Sequence, residues 1–158
     1  NPRSDYGRSN FDNRHAVALS FNANPWCALG LGGVFRYYSG YPINETVGSD
    51  VNRDRDNFDR PVAGIDDASR PIVSPRDAAG RAIRNGIEGE EQMLLDLRFQ
   101  YILDLPRRNS LGLFWEIYNA TDRANFGNPS GSRRSSNFLV PVRAGAPRTM
   151  QLGVRYTF

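Results

Sequence analysis

The densest group of side chains able to do chemistry lies in SDVNRDRDNFDRP, where Asp50, Asn52, Asp54 and Asp56 fall at alternate positions and Asp59 follows. Oxygen donors at the first, third and fifth positions are how a calcium loop begins. The sixth position is Arg55 where such a loop needs glycine, and the twelfth is Pro61 where it needs a bidentate Glu. Arg53, Arg55 and Arg60 supply counter-charge on the spot. The stretch therefore reads as a solvated, Arg-paired loop, with calcium held by Asp50, Asn52, Asp54 and Asp56 as the alternative.

Hydrolytic chemistry finds little support. His15 is the single histidine, and no metal ligand or triad partner stands at a recognisable spacing from it. No serine has a GxSxG context. The acidic pairs Asp66–Asp67 and Glu90–Glu91 sit in loop-like sequence, where solvated charge is the default. The residues read as those of a protein that is not an enzyme. Four further charges, Asp96, Arg98, Glu116 and Arg155, differ from these because each is embedded in an alternating apolar segment. They share the polar side of whatever those segments form; in a barrel they are the candidates to face the lumen and line a transport path, the alternative being wall charges that simply pair with one another.

The segments themselves have a period of two. In QMLLDLRFQYIL, Met93, Leu95, Leu97, Phe99, Tyr101 and Leu103 face one way, and Asp96, Arg98 and Gln100 the other. Helical spacing would scatter the charges around the circumference, so a strand is predicted. The same argument gives strands over about 14–22, 26–40, 92–103, 110–120 and 148–158. The last, ending TMQLGVRYTF, alternates up to its terminal aromatic. Short turns are expected at 22–25 and 104–109, and two long irregular polar segments at 42–91 and 121–147.

Across 158 residues the hydrophobic share is 39% and the mean hydropathy −0.56. No apolar run approaches the ~18 residues that a membrane helix needs. That observation leaves membrane strands open, because they bury only alternate residues in lipid. All 20 basic residues are Arg, interleaved with 17 acids, which is not the one-sided footprint of a nucleic-acid binder. Cys27 is the single cysteine, so no internal disulfide forms. The first residues are polar and carry no secretory signal, so a targeting sequence, if there is one, lies upstream of Asn1.

Together these features predict an all-β fold. It is read as an antiparallel transmembrane β-barrel segment of about five strands with two long extracellular loops and short periplasmic turns. Ten to twelve residues per strand, at ~3.3 Å rise and ~40° tilt, span roughly 25 Å of hydrocarbon. Five strands cannot close around a lumen, and unpaired edges cannot face lipid. The rest of the barrel is therefore an expected partner, along with outer-membrane lipid.

The order of FDNRHAVALSF, YYSGYPIN, SDVNRDRDNFDRP, LDLRFQY, WEIYNATDRANFGNP and RTMQLGVRYTF resembles the C-terminal barrel of TonB-dependent outer-membrane receptors, particularly the Oar-like group with a carboxypeptidase-regulatory-like domain. The resemblance implies a twenty-two-stranded barrel, a plug domain, and energy from the TonB complex through an N-terminal region that this chain lacks. It also implies that Tyr156 and Phe158 form the signal read by the outer-membrane assembly machinery. Import or binding of a ligand would be the function. The alternatives are a passive porin-like channel, a surface-binding or adhesive barrel, and a soluble β-sandwich lectin.

Overall fold

Alternating residues form strands where the sequence places them, although the ends differ. The computed structural model describes residues 5–66 and 69–158, so Asp67 of the Asp66–Asp67 pair lies outside the described residues. The strands are β1 (Ala16–Trp26), β2 (Leu29–Tyr38), β3 (Pro42–Ile43), β4 (Ile87–Glu88), β5 (Gln92–Leu105), β6 (Asn109–Tyr118) and β7 (Thr149–Thr157). Five of them make one antiparallel sheet in the order β1-β2-β5-β6-β7. No closed barrel forms among the described residues. The sheet is open, and among the described residues β1 and β7 each have one unpaired edge.

The turn expected at 22–25 is not there. Asn22 and Ala23 pair with Gly32 and Leu31, and the chain then bulges between Ala23 and Trp26 before Trp26 pairs with Leu29. The reversal falls at Cys27 and Ala28. Asn and Pro signalled a turn, but a bulge lets an edge strand carry Pro25 without a lost ladder bond. The other short connection is a 3-10 turn at Pro106–Arg108, bounded by Leu105 and Asn109.

The chain divides into two compact units. One is the five-stranded sheet with its adjoining turns: 15–38, 92–125 and 145–158. The register Ala16–Tyr38, Tyr38–Gln92 and Tyr118–Thr149 puts the ends that lead to the long segments at one end of this sheet. Three side chains fasten that end of the sheet. Asp96 accepts the Asn119 amide at 3.0 Å, Asn119 donates to the carbonyls of Arg123 and Ala146, and Asn125 exchanges two bonds with Met93.

The other unit comprises, among the described residues, 5–14, 39–66, 69–91 and 126–144. Most of the long irregular segments predicted from sequence, 42–91 and the 126–144 part of 121–147, are here a folded body. β3 pairs with β4, Thr46 bridges to Ser132, and Val62 to Arg81. At its centre Glu45 is fully buried and accepts bonds from the Val73 and Ser74 amides and from Arg133, the last at 2.6 Å. Arg133 also donates to the carbonyls of Asp66, Arg70 and Pro71. A buried carboxylate is tolerable only when it is paired and hydrogen-bonded in this way.

Candidate functional site

Register sorts the sheet into two faces of opposite character. On one, the rows run Val17–Tyr37–Met93, Leu19–Phe35–Leu95, Phe21–Gly33–Leu97–Ile117–Met150 and Ala23–Leu31–Phe99–Trp115–Leu152. They continue through Leu29–Tyr101–Leu113–Val154 to Leu103–Leu111–Tyr156. No charged residue interrupts them. Phe21 covers its partner Gly33, where a Cβ would overlap the ring, and Phe99 meets Trp115 at 5.5 Å between ring centroids. Much of this face is open, with Leu152 80% and Val154 71% exposed. Soluble monomers rarely expose a continuous apolar patch beyond a few hundred Å².

The opposite face carries the charges. Asp96, Arg98, Glu116 and Arg155 all lie on it, as the alternation predicts. Arg98 pairs with Glu116 at 2.9 Å, its cross-strand partner, and its guanidinium lies 4.9 Å from the centroid of Phe114. Glu116 also accepts the Tyr118 hydroxyl. Asp96 binds Arg36 at 2.5 Å, a partner the sequence reading did not single out. Arg155 stands opposite Gly112 and has no carboxylate partner among the described residues.

A trough of about 610 Å³ runs along this polar face, lined by residues of β1, β2, β5 and β6. Its floor follows from register. In one row Asn22, Gly32 and Arg98 stand side by side; next to it Gly30 pairs with Gln100, and the Asn24 amide oxygen lies 3.2 Å from where a Gly30 Cβ would be. At Gly30 and Gly32, β2 thus presents bare backbone between the polar side chains of β1 and β5. Sequence reasoning missed this arrangement. Its local signal was the glycine pattern of β2, but which residues flank those glycines depends on pairing with strands far along the chain.

No family model, curated protein or solved structure matches this chain.

Two sets of sequence-selected residues lie elsewhere. Tyr156 and Phe158 stack at 6.1 Å at the end of the last strand. In the 50s loop the oxygens are turned onto the loop's own backbone. Asp50 accepts the amides of Asp54 and Arg55, Asn52 that of Asp54, Asp54 that of Asp56, Asp56 that of Phe58, and Asp59 those of Val51 and Asn52. These are the local side-chain-to-backbone bonds by which Asp and Asn build turns. Arg53 and Arg55 take left-handed backbone angles within them. Among the described residues no group of three or more His, Cys, Asp or Glu converges as metal ligands would.

Proposed function

We propose that this chain is a wall segment of an outer-membrane β-barrel, belonging to a TonB-dependent receptor that binds or imports a ligand. The observation that carries the barrel reading is the charge-free apolar face, continuous in register across five strands and backed by a polar face. Lipid would cover the first face and the barrel lumen would adjoin the second, with strands of nine to fourteen residues long enough to cross a ~25 Å apolar band. The free edges of β1 and β7 would pair with further barrel strands, because an unpaired edge in hydrocarbon costs several kcal/mol per group.

Cys27–Ala28 and Pro106–Arg108 would then be periplasmic turns, and the strand ends that lead to the long segments would lie outside. Receptor rather than channel function rests on the ordered resemblance of the sequence segments to TonB-dependent receptors. In this role Tyr156 and Phe158 would serve as the assembly signal, and the partners would be lipid, the remaining barrel, its plug and the TonB complex.

An immunoblot of separated membranes, with an antibody to residues 42–91, tests the reading. A heat-modifiable outer-membrane band well above 17.7 kDa is expected. A soluble band at that mass would overturn it.

A further inference from the structure

We infer that Asn85–Gly86 is a deamidation site guarded by segment 5–14, and that its conversion to aspartate or isoaspartate releases this segment irreversibly. It is the single Asn-Gly step in the chain, and the fold demands both residues. Asn85 takes a left-handed backbone angle, φ 53°, which asparagine tolerates better than most side chains. Its side chain is buried, at 1% exposure. The carboxamide nitrogen donates to the Arg8 carbonyl at 2.6 Å and to the Asn10 carboxamide oxygen at 2.8 Å. At Gly86 a Cβ would stand 2.5 Å from the Ser74 hydroxyl oxygen and 3.0 Å from the Ile83 carbonyl oxygen. The same missing Cβ leaves the Gly86 nitrogen unshielded, so glycine after asparagine favours ring closure.

In the reaction the Gly86 nitrogen gives its proton to water and attacks the side-chain carbonyl carbon of Asn85. The new C–N bond closes a five-membered imide, and the Cγ–Nδ2 bond breaks with release of ammonia. Water then opens either imide carbonyl, leaving aspartate or isoaspartate. In the folded chain this step is held back. The Gly86 amide donates to the Ile83 carbonyl at 3.2 Å, and the Asn85 side chain cannot turn without breaking both bonds to segment 5–14.

That segment is the looser side of the contact. Asp5 pairs with Arg60 at 2.8 Å, and Asn13 exchanges two bonds with Ser39. Tyr6 and Phe11, however, are 90% and 85% exposed and bury little apolar surface. Segments with few buried apolar contacts open locally, ahead of the global fold. After modification the return is blocked. An aspartate oxygen in place of Nδ2 faces two acceptors, and Oδ1 meets no donor among the described residues. A carboxylate buried without donors is not tolerated.

The test uses the full-length protein, incubated folded or urea-unfolded in mildly alkaline buffer, with peptide mass mapping of residue 85. Modification should run at least about tenfold slower in the folded protein. Asn10→Ala, which removes one acceptor, and Asp5→Ala, which frees Arg60, should each speed it several-fold, the loss of about one hydrogen bond. In Asn85→Asp, hydrogen exchange over 5–14 should rise about tenfold or more while β5 stays protected. Exchange over 39–66 reports whether the rest of the unit still folds, and Asn10→Ala and Asp5→Ala carry the test if Asn85→Asp does not. Equal rates in folded and unfolded protein would overturn the guarding role of 5–14, as would rates in Asn10→Ala and Asp5→Ala that match the unaltered protein. Segment 5–14 exchanging normally in a folded Asn85→Asp would overturn its release.

Discussion

Glu45 and Arg133 are separated by 88 positions in the chain and by 2.6 Å in space. Both side chains are buried, at 0% and 7% exposure, and each joins one of the two long segments that sequence periodicity leaves featureless. Removing one partner strands the other charge, which costs about 3–5 kcal/mol. Arg133→Met should therefore speed hydrogen exchange across 39–91 and 126–144 while leaving β5 and β6 protected. The double variant Glu45→Leu/Arg133→Met, with no orphaned charge, should recover part of the protection. Equal exchange in the single variant and the unaltered protein would show the pair to be dispensable.

The two faces of the sheet make opposite predictions for one substitution. Leu97→Arg places a charge in the middle of the apolar face, at about 2–4 kcal/mol if that face meets lipid. Gln100→Arg adds the same charge to the polar face. Outer-membrane yield should fall for the first and stay near normal for the second. Similar yields would argue that lipid does not touch the apolar face.

Arg98 and Glu116 are partly exposed, so their pair contributes at most about 1 kcal/mol. Arg98→Glu sets two carboxylates against each other across β5 and β6, and Arg98→Glu/Glu116→Arg restores opposite signs. Urea midpoints of the folded protein in vesicles should drop for the single reversal and return for the double one. Additive losses in the double variant would mean that the two charges do not interact.

Phe21 covers Gly33 from the neighbouring strand, the aromatic–glycine pairing that compensates for a missing side chain in a sheet. Phe21→Ala should lower stability by about 1 kcal/mol, the scale of a cross-strand pair. The change should appear as faster exchange confined to β1 and β2. Uniform acceleration over all strands would point to a wider role for the ring.

In the 50s loop the side-chain oxygens of Asp50, Asn52, Asp54, Asp56 and Asp59 already accept backbone amides. Chelator should leave exchange of the 50–59 amides unchanged, whereas Asp50→Ala should accelerate it by removing two acceptors at once. Chelator-dependent exchange would restore calcium as the ligand of this loop.

Alternation made most of the sheet legible. The side chains of Gln92–Leu105 reverse face at every residue, and that period survives whatever the strand packs against. Asp96, Arg98, Glu116 and Arg155 could thus be placed on one face by parity alone. Asn22–Pro25 misled, because turn-forming residues also suit a bulged edge strand, and only pairing with β2 distinguishes the two.

Segments 42–91 and 121–147 were opaque for a different reason. Their order comes from bonds between residues distant in sequence, such as Thr46 to Ser132 and Glu45 to Arg133, and such bonds leave no periodic trace. By itself the sequence determined the existence of five strands and the character of their two faces, because side-chain direction along a strand is a local property of the backbone. Only the tertiary structure decided which charge answers which, where glycines of one strand meet amides of its neighbours, and that the long segments fold. Those outcomes depend on register and on long-range closure, which no window of the chain contains.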